Sequence, residues 1–180
     1  MLKKLGADSR EVRLPQHLEG LGGLIIPGGE STTLSRLMSL YHLRESIEGM
    51  ARQGKVIWGT CAGMIMMAHE ITEGDPVPLG LMDIGVLRNA FGRQVDSFEQ
   101  GLQVAGFDPV PFHGIFIRSP IIIRVGQGVK VLATLPDGRP VAVQQDNLLA
   151  TAFHPELTTD QRFHKHFLDL VSAGRPSFTQ

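Results

Sequence analysis

The chain is poor in cysteine, in aromatic residues and in surplus charge. Its one cysteine, Cys61, excludes an internal disulfide and any zinc site built from several thiolates. A lone thiol without a disulfide framework fits a reducing compartment, so a cytoplasmic location is expected. The 17 Lys and Arg residues nearly balance the 18 Asp and Glu residues, for a net charge of -1. The basic residues are scattered, so nothing electrostatic draws the chain to nucleic acid or to a membrane surface. No apolar run reaches the roughly 18 residues of a membrane-spanning helix. Lys3 and Lys4 are not followed by the apolar stretch of a secretory signal. No metal and no cofactor is expected.

Glycine is plentiful, at 21 of 180 residues, and hydrophobic residues make up 42%. That length and composition predict one globular domain over 1–180 with a sizeable core. In the first half, short apolar runs alternate with helical stretches. Leu24 to Ile26 reads as a buried strand ended by Pro27-Gly28-Gly29. Ser31 or Thr32 can cap the following helix, which carries Leu34, Leu37, Met38 and Tyr41 at helical spacing. A second helix over Leu43 to Arg52 ends near Gly54, and Lys55 to Trp58 is the next strand. Gly59 to Gly63 is a tight turn, and Met64 to Ile71 reads as a buried helix. This alternation predicts a mostly parallel sheet with helices on both faces.

The second half is rich in strands: Ile84 to Arg88, Phe98 to Ala105, Ile115 to Arg118, Ile121 to Val125, Val129 to Leu135, Val141 to Gln144 and Leu148 to Phe153. Asp137-Gly138 is a hairpin signal. Thr159 to Ala173 is the closing helix, stopped by Gly174 and Pro176. At the start, Met1 to Leu5 has the pattern of a helix tail and Ser9 to Leu14 that of a strand. A sheet that opens with half a helix is expected to lack a strand ahead of it.

The strongest chemical signal is Gly59-Thr60-Cys61-Ala62-Gly63, between an apolar strand and a helix. Small residues beside a nucleophile permit the sharp turn of a nucleophile elbow. The turn places the thiol at a helix N-terminus, where the dipole favours thiolate, and aims the Ala62 N–H toward a developing oxyanion. The bland alternative is a buried cysteine used as a small apolar residue. A thiol nucleophile needs a base and the base an orienting group. His154 closes a strand-like run, and Pro155 restricts its backbone to extended conformations. Glu156, two residues on, would lie on the same side of an extended segment and accept the imidazole hydrogen bond.

The other histidines carry less. His17, His42 and His69 fall in helical or loop stretches, and His164 and His166 lie two apart on a helix and face different ways. His113 stays unassigned. Gly28-Gly29-Glu30-Ser31 lets a ligand approach the backbone closely. It lacks the lysine of a P-loop, so a second oxyanion donor and a pocket for a small polar substrate fit better than a phosphate site. A plain capping turn is the alternative. Arg88, within Arg88 to Gln94, and Arg118, within Phe116 to Pro120, are suited to clamping a carboxylate, although surface arginine is common.

Together, the segments Pro27 to Thr33, Gly59 to Gly63, Arg88 to Phe98, Phe116 to Pro120 and Phe153 to Leu157 resemble the class I glutamine amidotransferases. More narrowly, they are similar to the glutaminase subunit of pyridoxal 5'-phosphate synthase. The resemblance covers about Leu21 to Leu170 and implies a three-layer α/β fold in which this chain lacks the first strand. It implies that Cys61 attacks the side-chain amide of glutamine, that His154 moves the protons and that Glu156 orients His154. Gly29, Glu30, Ser31, Arg88, Ile117 and Arg118 would bind glutamine. A backbone N–H of Gly28 or Gly29 would join Ala62 in the oxyanion hole. The implied partner is a (βα)8-barrel synthase subunit, in a large ring complex that activates the glutaminase by docking. Two further readings are another hydrolase or peptidase with a cysteine elbow, and a catalytically silent regulatory subunit.

Overall fold

The computed structural model describes residues 1–88 and 97–174. Its elements are, in chain order, β1 (Gly23–Ile26), α1 (Ser31–Leu40), α2 (Leu43–Arg52), β2 (Val56–Thr60), α3 (Ala62–Met67), β3 (Ala68–Ile71), β4 (Met82–Leu87), β5 (Ser97–Leu102), β6 (Phe112–Ile117), β7 (Ile121–Val125), β8 (Lys130–Thr134), β9 (Pro140–Gln145), β10 (Leu148–Thr151) and α4 (Arg162–Ala173). None of these helices is long and apolar enough to cross a membrane.

The main sheet has the order β1-β2-β10-β9-β8. All five residues of β2 are buried, as a strand covered on both faces requires. α3 lies on one face of it, beneath Gly59, and α4 on the other, beneath Trp58. α1 packs beside α3. Phe163 and Phe167 of α4 set their rings 6.2 and 5.9 Å from Trp58. Each such buried side chain stabilises the packing by roughly 1.5–3 kcal/mol. The three-layer arrangement agrees with expectation, but within the main sheet parallel pairing is confined to β1, β2 and β10. β9 and β8 run antiparallel, so the sheet as a whole is mixed. The turns at Asp146-Asn147 and Asp137-Gly138 are too short for the crossover that parallel strands need. A second sheet, β3-β4-β7, and the β5-β6 hairpin complete the fold.

Several boundaries differ from the sequence pattern for local reasons. The helix expected over Met64 to Ile71 starts at Ala62 and stops at Met67, and Ala68–Ile71 pairs with β4. Residues 62–68 are all buried, so the run up to the strand has no periodicity to separate helix from strand. Ser9 to Leu14 forms no strand. Arg13 N–H donates to His17 Nδ1 at 3.2 Å, and the Arg10 guanidinium donates to the His17 and Glu19 carbonyls. α4 begins at Arg162 rather than Thr159, because Thr158 and Asp160 side chains take the N–H groups of Asp160 and Arg162 in local turns.

β1 is the edge strand of the main sheet, with no partner on its outer side among the described residues. A groove of about 1290 Å³ follows that edge. Leu34 and Met38 of α1, Phe167 and Val171 of α4, Leu2 and residues 5–14 form its walls.

Candidate active site

Cys61 sits between β2 and α3 with φ 49° and ψ -107°, a conformation costly for any residue with a Cβ. The surroundings hold it there. Its N–H donates to the Thr151 carbonyl of β10 at 2.8 Å. Gly63 passes so close to β1 that a Cβ on it would stand 2.0 Å from the Ile26 carbonyl oxygen. No other residue fits there, two positions after Cys61. The cysteine is only 5% exposed, and its thiol lies 3.9 Å from the Ile117 carbonyl. Ala62 is the first helical residue, so its N–H has no acceptor within α3.

β10 runs parallel to β2 and delivers His154 to the same end of the sheet. His154 N–H donates to the Ile115 carbonyl at 2.9 Å, tying this end to β6. His154 Nδ1 meets Glu156 Oε1 at 2.8 Å. The pairing agrees with expectation but the route does not. Residues Pro155–Leu157 form a 3-10 turn rather than an extended segment, and that turn brings the carboxylate back to the ring. The hydrogen bond with Cys61, then that with Glu156, pushes the His154 imidazolium up to about 10, against the opposing effect of burial. Burial pushes the Glu156 carboxyl up, but the His154 hydrogen bond and charge prevail and hold it below its usual range. The group sets an imidazole, favoured in its charged form, between the Cys61 side and the Glu156 carboxylate.

The Gly-Gly loop joins this constellation. A Cβ on Gly28 would stand 2.4 Å from His154 Cε1 and 3.3 Å from Cys61 Cβ, so the loop rests directly on the dyad. Glu30, not Ser31 or Thr32, caps α1. Its carboxylate accepts from Thr32 N–H at 2.9 Å and Thr33 N–H at 2.6 Å. Those backbone bonds, Thr32 first, lower the Glu30 carboxyl to about 2. Ser31 is buried in the first turn. Arg88 follows β4 and reaches the same loop, 3.6 Å from Glu30 Oε1. Ile117 ends β6 beside Cys61, and Arg118 follows it, exposed at φ 43°. The rest of the segment Arg88 to Gln94 lies outside the described residues.

All the sequence-derived site residues therefore lie at one end of the main sheet or on the loops over it. Sequence reasoning missed Thr151 and Ile115, whose carbonyls anchor Cys61 and His154. They act through backbone atoms, so no side-chain motif marks them. Thr151 Oγ1 also accepts from Trp58 Nε1 at 3.2 Å, beneath the elbow. His113 pairs with Glu99 at 2.7 Å across the β5-β6 hairpin. His164 packs edge-on against Trp58, and burial lowers its pKa. His166 bonds Gln144 at 2.8 Å, so the two helical histidines do face apart.

Comparison with known proteins agrees with this geometry. Residues 1–173 match the model of the SNO glutamine amidotransferase family. A relative from Herpetosiphon aurantiacus, named pyridoxal 5'-phosphate synthase subunit PdxT, is 57% identical over 173 residues, covering 94% of this chain and 91% of the relative. A protein of the same name from Dehalococcoides mccartyi is 53% identical over 174 residues, covering 95% of this chain and 89% of its own length. A crystal structure described as a glutamine amidotransferase superposes with a TM-score of 0.89 at 48% identity, over 95% of this chain and 90% of that one. A putative GMP synthase component from Thermoplasma acidophilum, at 19% identity and a TM-score of 0.69 over 96% of this chain and 85% of that one, shares the fold. With the family model spanning nearly the whole chain and relatives above half identity, this chain belongs to the SNO glutamine amidotransferase family.

Proposed function

We propose that this protein is a glutaminase that hydrolyses glutamine and supplies the ammonia to a pyridoxal 5'-phosphate synthase partner, in vitamin B6 synthesis. The observation that carries the reading is the His154–Glu156 pair at 2.8 Å, with the same imidazole and the elbow Cys61 both lying against Gly28. Membership of the amidotransferase family supports glutamine as substrate.

The chemistry follows from the groups present. Cys61 thiolate attacks the carboxamide carbon of glutamine, and the carbonyl oxygen takes up the negative charge. The Ala62 N–H and an N–H of Gly28 or Gly29 stabilise that oxyanion. As the C–N bond breaks, the His154 imidazolium gives its proton to the leaving nitrogen, which departs as ammonia. His154, now neutral, takes a proton from water, and the hydroxide attacks the thioester carbon. The C–S bond breaks, glutamate leaves and Cys61 is thiolate again. Glu156 fixes the imidazole tautomer and stabilises its charged form. Glutamine itself lies among Gly29, Glu30, Ser31, Arg88, Ile117 and Arg118, with Arg118 placed to meet its carboxylate.

The synthase partner is a (βα)8 barrel, and the two form a ring complex in the cytoplasm. Residues 1–180 act as a single glutaminase domain. The test of function is glutamate release from glutamine, measured with and without the synthase. Release that is stimulated by the synthase and abolished in Cys61→Ala is expected. No release under either condition, from protein shown to be folded, would favour the silent regulatory reading.

A further inference from the structure

Beneath the dyad, a side-chain hydrogen bond crosses between the two strands that carry it. Trp58 of β2 lies three residues before Cys61, and Thr151 of β10 lies three residues before His154. Trp58 Nε1 donates to Thr151 Oγ1 at 3.2 Å, and both residues are fully buried. The register sets Thr151 opposite Thr60, so Trp58 and Thr151 project on the same face of the sheet, toward α4. There the indole is walled in. The rings of His164, Phe167 and Phe163 are centred 5.0, 5.9 and 6.2 Å from it. A ring packed this closely has little room to turn toward another acceptor.

The backbone of Thr151 acts at the same point. Its carbonyl accepts the Cys61 N–H at 2.8 Å, where the chain leaves β2. Beyond that rung the two strands part. Ala152 N–H donates to the Val141 carbonyl of β9, and His154 N–H to the Ile115 carbonyl of β6. Thr151 thus holds Cys61 through its carbonyl and Trp58 through its hydroxyl.

We infer that Thr151 is a positioning residue: its hydroxyl, clamped on the Trp58 indole, fixes the spacing between Cys61 and His154. The inference rests on the glutaminase reading and adds to it a side chain buried beneath the site. Removing the acceptor leaves the indole N–H unpaired in a dry core, and the ring and the end of β2 shift to relieve it. Gly59 and Thr60 pass that shift to Cys61. Attack and proton transfer depend steeply on the placement of thiol and imidazole. The segments proposed to bind glutamine follow β1, β4 and β6, so they are not attached to this link. Turnover should therefore suffer while glutamine binding does not.

The test compares three variants with the unaltered protein. Thr151→Val keeps the shape and removes the acceptor, Thr151→Ser keeps the acceptor, and Trp58→Phe removes the donor. Folding is checked by circular dichroism and thermal melting. In synthase-stimulated glutaminase assays, Thr151→Val should lower kcat about 10-fold with KM within about twofold, and Thr151→Ser should stay within about threefold in both. The second readout needs no glutamine: the rate of Cys61 alkylation by iodoacetamide, followed by intact mass. It should fall about threefold or more in Thr151→Val and recover in Thr151→Ser. The double variant Trp58→Phe/Thr151→Val should be no slower than the slower single variant, because both break one link. A kcat or an alkylation rate unchanged in Thr151→Val, whatever its melting temperature, would overturn the inference. So would an equal loss in Thr151→Ser, a KM raised as much as kcat falls, or losses that multiply in the double variant. Failure of the unaltered protein to hydrolyse glutamine would instead overturn the glutaminase reading, and the alkylation rates would still decide the role of Thr151.

Discussion

The proposed nucleophile half of the site and the proposed substrate half are built differently. Cys61 and His154 leave the ends of β2 and β10, two adjacent parallel strands in the buried middle of the sheet. Their backbones are pinned by the Thr151 and Ile115 carbonyls. Glu30, Arg88 and Arg118 stand on loops and element ends, where Glu30 and Arg88 are held by charge and capping bonds. The contrast assigns different work to the two halves. Reacting atoms need fixed geometry, which strand backbones provide. Recognition of a small polar substrate needs charged groups near water, which loops over a rigid scaffold provide.

The largest effect that would sharpen this contrast is loss of the nucleophile. Cys61→Ala should lower glutaminase turnover by about 10^4-fold or more while the protein stays folded. It also removes the first cause of the raised His154 pKa. The His154 titration, followed by NMR, should then fall from about 10 toward its ordinary value. Next, Glu156→Gln should cost about 10^3-fold, and the alkaline limb of the pH-rate profile should move to lower pH, because the second support of the imidazolium is gone. A limb that stays in place would show that Glu156 does not act through His154.

A smaller loss, about 100-fold, is expected from Gly28→Ala, whose new methyl group collides with the His154 ring. In the substrate half the change should appear in KM. Arg118→Ala should raise KM for glutamine about 10-fold with little change in kcat. If Arg118→Ala lowered kcat as Gly28→Ala does, the division of labour would be wrong. The smallest effects are on stability. Glu30→Ala should cost about 1 kcal/mol, the usual worth of an N-cap, measured by urea denaturation. Because the folded-state pKa of His154 is raised, its contribution to stability is fully present below 6.5 and is lost as pH rises through about 10. Thermal melting across that range should show the decline, and Cys61→Ala should flatten it.

The same contrast governs how much was legible beforehand. The elbow was legible because its glycines are dictated by local sterics: a Cβ at Gly63 cannot coexist with β1. The His154–Glu156 pairing was legible from spacing, although the turn that achieves it was not, since Pro155 is compatible with both an extended chain and a 3-10 start. The cap of α1 was misread because Ser31 and Thr32 are the commoner capping types, whereas here the carboxylate of Glu30 reaches two N–H groups at once. The run after Cys61 hid a change from helix to strand because Ala62 to Ala68 are all buried, which leaves no periodicity to mark where α3 ends. Arg88 was recognisable as a charged group of interest, but its partners, 13 to 58 positions away in sequence, were not.

The sequence by itself determined the thiol at a strand-to-helix turn, its histidine and carboxylate, and the glycine loop, because each is a short-range pattern enforced by backbone sterics and hydrogen-bond chemistry. Tertiary structure alone decided that β10 would lie beside β2 and bring His154 to Cys61, and that Thr151 and Ile115 would anchor them. It also decided that Arg88 would direct its charge to Glu30. Those contacts join residues far apart in the chain, and they exist only once the sheet order is set by burial of β2 on both faces.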